Sequence, residues 1–151
     1  MKIIGIGDLV LDIYMNESKI RGITGGMSFA NVIYNITRLL ENYNNSCNTN
    51  NEDKKIDFET IIYGVCGNDI PGDIIIKELK SGNINTSYIT RKDNKKTREF
   101  YMYLDENDNF LTSKKKNYIT KKESWYSSSL LKGDVPEELL SKDNIYVFRK
   151  C

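Results

Sequence analysis

The stretch Thr24-Gly25-Gly26-Met27-Ser28-Phe29-Ala30-Asn31-Val32 constrains this chain most, because it joins a glycine pair to the start of its strongest helical pattern. Glycines accept backbone conformations that other residues resist, and they let a ligand approach the main chain closely. Ser28 is a helix-capping residue type, and the N–H groups of a first helical turn are ready donors to polar or anionic ligands. Asn31 adds a side-chain donor and acceptor to that turn. Val32, Ile33, Ile36, Leu39 and Leu40 then recur at helical spacing, which predicts one buried helix face running to about Glu41. A Gly-Gly turn ahead of an ordinary core helix is the purely structural alternative.

Upstream, Lys2 to Tyr14 reads as one buried strand with Asp12 at its exit. Residues 2–7 alternate too little for a half-exposed strand, so they are expected to be central and covered on both faces. Gly5-Ile6-Gly7-Asp8 is not a dinucleotide-binding fingerprint, since Val10 stands where the third glycine belongs. The carboxylate of Asp12 can accept from two vicinal hydroxyls, the usual way of holding a sugar; a solvated strand-end aspartate is the plain alternative. Residues 13–23 read as a short strand pair, and Phe58 to Val65 as a second buried strand. Gly67 and Asp69 then turn the chain, Pro71 suits the first turn of a helix, Ile74, Ile75 and Leu79 give that helix an apolar face, and Gly82 stands at its C-cap. Ile84–Thr90 and Thr97–Leu104 look like strands, the latter with Phe100, Met102 and Leu104 on one face and Tyr101 and Tyr103 on the other. Asp105 to Asn109 has the composition of a hairpin turn and lacks the spacing of a calcium loop. A helix near Trp125, Tyr126, Leu130 and Leu131, a short helix over Pro136–Leu140 and a strand over Asn144–Phe148 are expected to follow.

Alternating strands and helices of this kind define an α/β chain with a mainly parallel sheet, and 151 residues suit one domain. Residues 42–55, rich in Asn, are too polar to order themselves by burial and read as a disordered, mobile surface insertion. The chain has no histidine, which excludes histidine-based nucleophile systems and His-ligated zinc as usually built, while carboxylate-bound Mg2+ stays open. A net charge of +1 gives no case for a nucleic-acid partner, and Lys114-Lys115-Lys116 reads as a solvated loop. Apolar runs are too short to span a membrane and no secretory signal opens the sequence. With three scattered cysteines, this predicts a cytoplasmic protein with reduced thiols.

Asp12, the Gly25-Gly26 pair, Asn31, and Gly64-Val65-Cys66-Gly67-Asn68-Asp69 occur in the order seen in another group of proteins. Over about a hundred residues the chain resembles the N-terminal half of the ribokinase-like (PfkB) carbohydrate kinases. The resemblance implies a mainly parallel sheet flanked by helices, with a small β lid. It further implies phosphoryl transfer from Mg-ATP to a carbohydrate hydroxyl in the complete enzyme. Asp12 and Asn31 would orient the acceptor by hydrogen bonds, and Gly25 and Gly26 through their backbone. Arg98, in a Thr97-Arg98 pair like that of relatives acting on phosphorylated sugars, would grip a substrate phosphate; a solvated Arg is the alternative. The family's Gly-x-Asp turn lies near the sugar, although a structural turn accounts for Asn68 and Asp69 equally well. The family's ATP site, anion hole and catalytic aspartate lie in its C-terminal half, which has no counterpart here. Gly133-Asp134 lacks the preceding glycine of the family's Gly-Ala-Gly-Asp signature. The 151-residue chain is accordingly expected to bind no Mg-ATP and to be inactive alone. A sugar or sugar phosphate is the expected ligand, and the lid strands are a candidate homodimer surface. A non-catalytic sugar-binding or dimerisation module and a nucleoside kinase fragment are the alternative readings.

Overall fold

The computed structural model describes residues 1–26, 28–47, 54–110 and 135–148. The first two strands, β1 (Lys2–Asp8) and β2 (Val10–Asn16), follow one another but enter different sheets. The sequence predicts a single strand here. The chain breaks at Leu9, whose side chain is buried and whose N–H donates to the carbonyl of Val65 at 3.2 Å, so that the last contact with the first sheet is made there. β3 (Lys19–Gly26) then returns antiparallel to β2 through a turn in which Glu17 takes a φ of 51°. The order continues with α1 (Ser28–Ser46), β4 (Glu59–Gly67), α2 (Ile70–Ser81), β5 (Ile89–Lys92), β6 (Arg98–Leu104) and β7 (Ile145–Phe148), a 3-10 turn at Glu137–Leu139 preceding the last strand.

The larger sheet has the strand order β5-β4-β1-β7 and is parallel throughout. The smaller has the order β3-β2-β6, with β6 parallel to β2. As expected, β1 is interior and covered on both faces. Ile3 packs with Phe29, Ile33 and Ile62 beneath α1, while Ile4 and Ile6 pack with Ile61, Tyr63 and Leu139 on the other side. A Cβ at Gly5 would stand 2.7 Å from Ile33 Cγ1 and 2.9 Å from Phe29 Cδ2, so the missing side chain lets α1 lie close on the strand. The buried Thr37 hydroxyl reaches Ile33 O at 2.8 Å and shares a hydrogen bond with buried Thr60 at 2.9 Å, joining α1 to β4 without an unsatisfied polar group.

Three expectations change. On α1 the covered stripe runs through Phe29, Ala30, Ile33 and Thr37, whereas Val32 is 41% and Leu39 68% exposed. Those two lie seven residues apart, to one side of the stripe, and a sheet on one flank cannot cover both rows. Secondly, α1 continues past Glu41 to Ser46, into the Asn-rich tract, where the Asn44 carboxamide pairs with both N–H and carbonyl of Ile56 at 2.9 Å. Thirdly, β5 begins only at Ile89, because Asn85 accepts from the Ser87 N–H at 2.9 Å and turns the chain there. The lysine run Lys114-Lys115-Lys116, Trp125 to Leu131, and Gly133-Asp134 lie outside the described residues.

Candidate functional site

Asp12 stands in the middle of β2 in the small sheet, not at the exit of a central strand. Its cross-strand partners are Thr24 on β3 and Phe100 on β6, and it is half-buried. Burial, with a smaller contribution from the charge of Glu78, raises its carboxyl from 3.8 to about 6. The Tyr14 phenol, two residues along the strand, is also pushed up by burial and then by Asp12 and Glu78.

Gly25 and Gly26 are the last two residues of β3, paired with Leu11 and Val10, rather than a turn before the helix. A Cβ at Gly25 would stand 3.1 Å from Glu78 Oε2 and 3.2 Å from Ile75 Cα. The missing side chain therefore eases the close approach of α2, which a Cβ would push back by a few tenths of an ångström, with no left-handed backbone involved. The Gly25 N–H donates to the Glu78 carboxylate, and the Thr24 hydroxyl donates to Glu78 Oε1 at 2.8 Å. The main-chain donor that the sequence offered to a ligand at Gly25 is thus directed at a side chain of α2.

Asn31 lies one turn into α1 and is exposed; the helix begins two residues after β3 ends, so chain connectivity ties it to the glycine pair. Arg98 opens β6 opposite Val10, two positions from the row of Asp12, and its Nη1 is buried. The small sheet thus unites the strands of Asp12, Gly25, Gly26 and Arg98, and Asn31 follows on α1. Glu78 was not anticipated. Its signal was present: it falls between Ile75 and Leu79, both buried, so a carboxylate there borders the packed face of α2.

The Gly67-Asn68-Asp69 turn has a structural role. Asp69 is the N-cap of α2, accepting the Gly72 N–H at 3.0 Å, and it also takes the Thr97 N–H at 2.8 Å and the Thr97 hydroxyl at 2.5 Å. Burial alone would raise its carboxyl, but the hydrogen bonds from Thr97 and Gly72, with the charge of Arg91, outweigh it and hold the carboxyl below 3.8. Among the described residues, no three His, Cys, Asp or Glu side chains gather to hold a metal ion, and no helix is long and apolar enough to cross a membrane.

A parallel sheet flanked by helices, with a small sheet built from segments that connect its strands, is part of the ribokinase-like fold. Solved sugar and nucleoside kinases share it. A fructokinase from Halothermothrix orenii superposes with a TM-score of 0.52 at 18% identity, over 74% of this chain and 37% of its own. An uncharacterized sugar kinase from Pyrococcus horikoshii, also solved in complex with ATP, gives 0.52 at 22% identity, over 72% and 34%. A nucleoside kinase from Methanocaldococcus jannaschii, an archaeal member of the ribokinase family, gives 0.50 at 18% identity, over 73% and 35%. The chain therefore spans about a third of the length of the kinases it matches. No protein-family model and no curated protein matches the sequence.

Proposed function

We propose that this chain supplies the acceptor-binding part of a ribokinase-like kinase, holding a polyhydroxylated carbohydrate through Asp12. One observation carries the reading: a half-buried carboxylate set in the middle of a three-stranded sheet, in a fold shared with sugar kinases. Above its titration the Asp12 carboxylate is an acceptor only, matched to a pair of sugar hydroxyls, and exchanging water for two such donors offsets its partial burial. Asn31 would add a further contact from the start of α1, Gly26 would bring its main chain close, and Arg98 would serve an anionic acceptor. Gly25 contributes its carbonyl and its small size, its N–H being held by Glu78.

Orientation of this kind can supply about 7–11 kcal/mol of a transfer barrier. Mg-ATP would bring the phosphoryl group in the complete enzyme. Among the described residues no three His, Cys, Asp or Glu side chains gather for the metal. Alone, the chain is proposed to bind acceptor without turnover, in the cytoplasm, as a homodimer through the small sheet. The test is calorimetric titration of the chain with D-ribose, D-fructose, their phosphates and adenosine, repeated with Asp12→Ala. The expected result is saturable binding lost in the variant. A folded wild-type chain that binds none of them, or a variant that binds as well, overturns the proposal. Preference for adenosine would move the acceptor from sugars to nucleosides.

A further inference from the structure

We infer that Glu78 is a positioning residue of this acceptor site: by taking the Thr24 hydroxyl and the Gly25 N–H, it fixes the end of β3 that faces Asp12 and leads into α1. The inference rests on the acceptor reading above.

The geometry is specific. Thr24 is the β3 residue directly opposite Asp12, and Gly25 is followed within three residues by the first residue of α1. One carboxylate on α2 therefore holds the two β3 residues beside the proposed hydroxyl acceptor and, through the chain, the helix turn that presents Asn31. A simple packing role would call for an apolar side chain at position 78, since Ile75 and Leu79 on either side of it are buried in the main core. Instead a carboxylate lies along a glycine that leaves just enough room for it. The N–H of Gly25 would otherwise compete for ligand oxygens, and Glu78 withdraws it. The carboxylate also brings a second negative charge toward Asp12, which assists burial in raising the Asp12 carboxyl.

Charged and titratable groups lie on each of the elements packed around Asp12. They are Tyr14 on its own strand, Arg98, Glu99, Tyr101 and Tyr103 on β6, Asp73, Lys77, Glu78 and Lys80 on α2, and, toward the far end of β3, Lys19 and Arg21. Glu99 receives the Tyr101 hydroxyl at 2.8 Å and Arg21 pairs with Asp108 at 3.4 Å. Of these groups it is the Glu78 charge that adds to burial in raising the Asp12 carboxyl. Removing its charge while keeping its shape should therefore change both the geometry and the protonation of the acceptor.

The experiment uses the full chain and whichever of D-ribose, D-fructose or adenosine binds the wild type. Glu78→Gln replaces one acceptor oxygen by an NH2 that faces a donor. It is expected to weaken binding at pH 8 on the order of 10- to 100-fold and to move the Asp12 midpoint, read by carboxyl carbon NMR, from about 6 toward 3.8. Glu78→Asp keeps the charge but is too short to hold both donors; it should lose affinity while Asp12 still titrates near 6. A merely structural Glu78 would lower stability in both variants and leave the affinity of the folded chains for the probe unchanged. A folded Glu78→Gln chain that binds the probe as the wild type does, with Asp12 unshifted, overturns the inference and leaves the acceptor reading standing. Absence of binding by the folded wild type, in contrast, overturns the acceptor reading itself.

Discussion

Asp12 titrates high because it is half-buried and shares its surroundings with Glu78, and this fixes how it acts on stability. Its carboxyl rises from 3.8 to about 6 on folding, so between those values the folded chain binds more protons than the unfolded one. Stability from this group consequently falls as pH rises through that window, and above it the ionised carboxylate opposes folding. Asp12→Asn removes the charge at similar size. Urea unfolding should show the variant more stable than wild type at pH 7, with the gain fading by pH 4; an equal gain at both would mean that charge is not its source. A site that lowers stability at working pH is what a binding function, rather than packing, would maintain. Asp12 was legible in the sequence because a carboxylate interrupts an apolar strand. For Glu78 the sequence offers only its place beside Ile75 and Leu79 on α2; its partners lie more than fifty positions away, and only the packing of α2 on β3 joins them.

On α1, exposure separates residues that the helical pattern grouped together. Ile33 is fully buried against β1, and Ile33→Ala should cost about 2–5 kcal/mol. Leu39→Gln, on the uncovered row, should stay within about 0.5 kcal/mol of wild type in the same urea titration. A large loss at Leu39 would show that something covers this row in solution. At the start of α2, Asp69→Ala removes a helix cap and two anchors for Thr97, and about 1–3 kcal/mol should be lost. A neutral result would return the Gly-x-Asp turn to the ligand. Element by element, the buried strands β1 and β4 and both helices could be read from apolar runs and periodicity. The break at Leu9 could not, because it depends on an N–H finding the carbonyl of Val65 in a strand more than fifty residues on. Nor could the close of β3, where Gly25, one of the pair that suggested a turn, lies instead against α2.

For the molecule as a whole, the small sheet is where association should show. Among the described residues β3 pairs on one side only, with β2, and β6 pairs with β2 and, at Leu104 alone, bridges to Phe110. On β3 Ile20 is 58% and Ile23 44% exposed, so an open strand edge coincides with apolar side chains, a combination that invites pairing with a second copy. Sedimentation velocity over a concentration series should therefore reveal a monomer–dimer equilibrium. Lysine on an edge strand is a common natural block to such pairing, and Ile23→Lys should shift the equilibrium toward monomer while circular dichroism stays unchanged. The competing surface is the row of Val32 and Leu39 on α1, which Leu39→Lys addresses separately. If Leu39→Lys alone dissociates the dimer, the helix face and not the small sheet is the interface. If the wild type sediments as a monomer throughout, neither surface associates two copies. Dissociation by Ile23→Lys alone would place two copies of the Asp12 sheet side by side, and acceptor affinity should then rise with protein concentration.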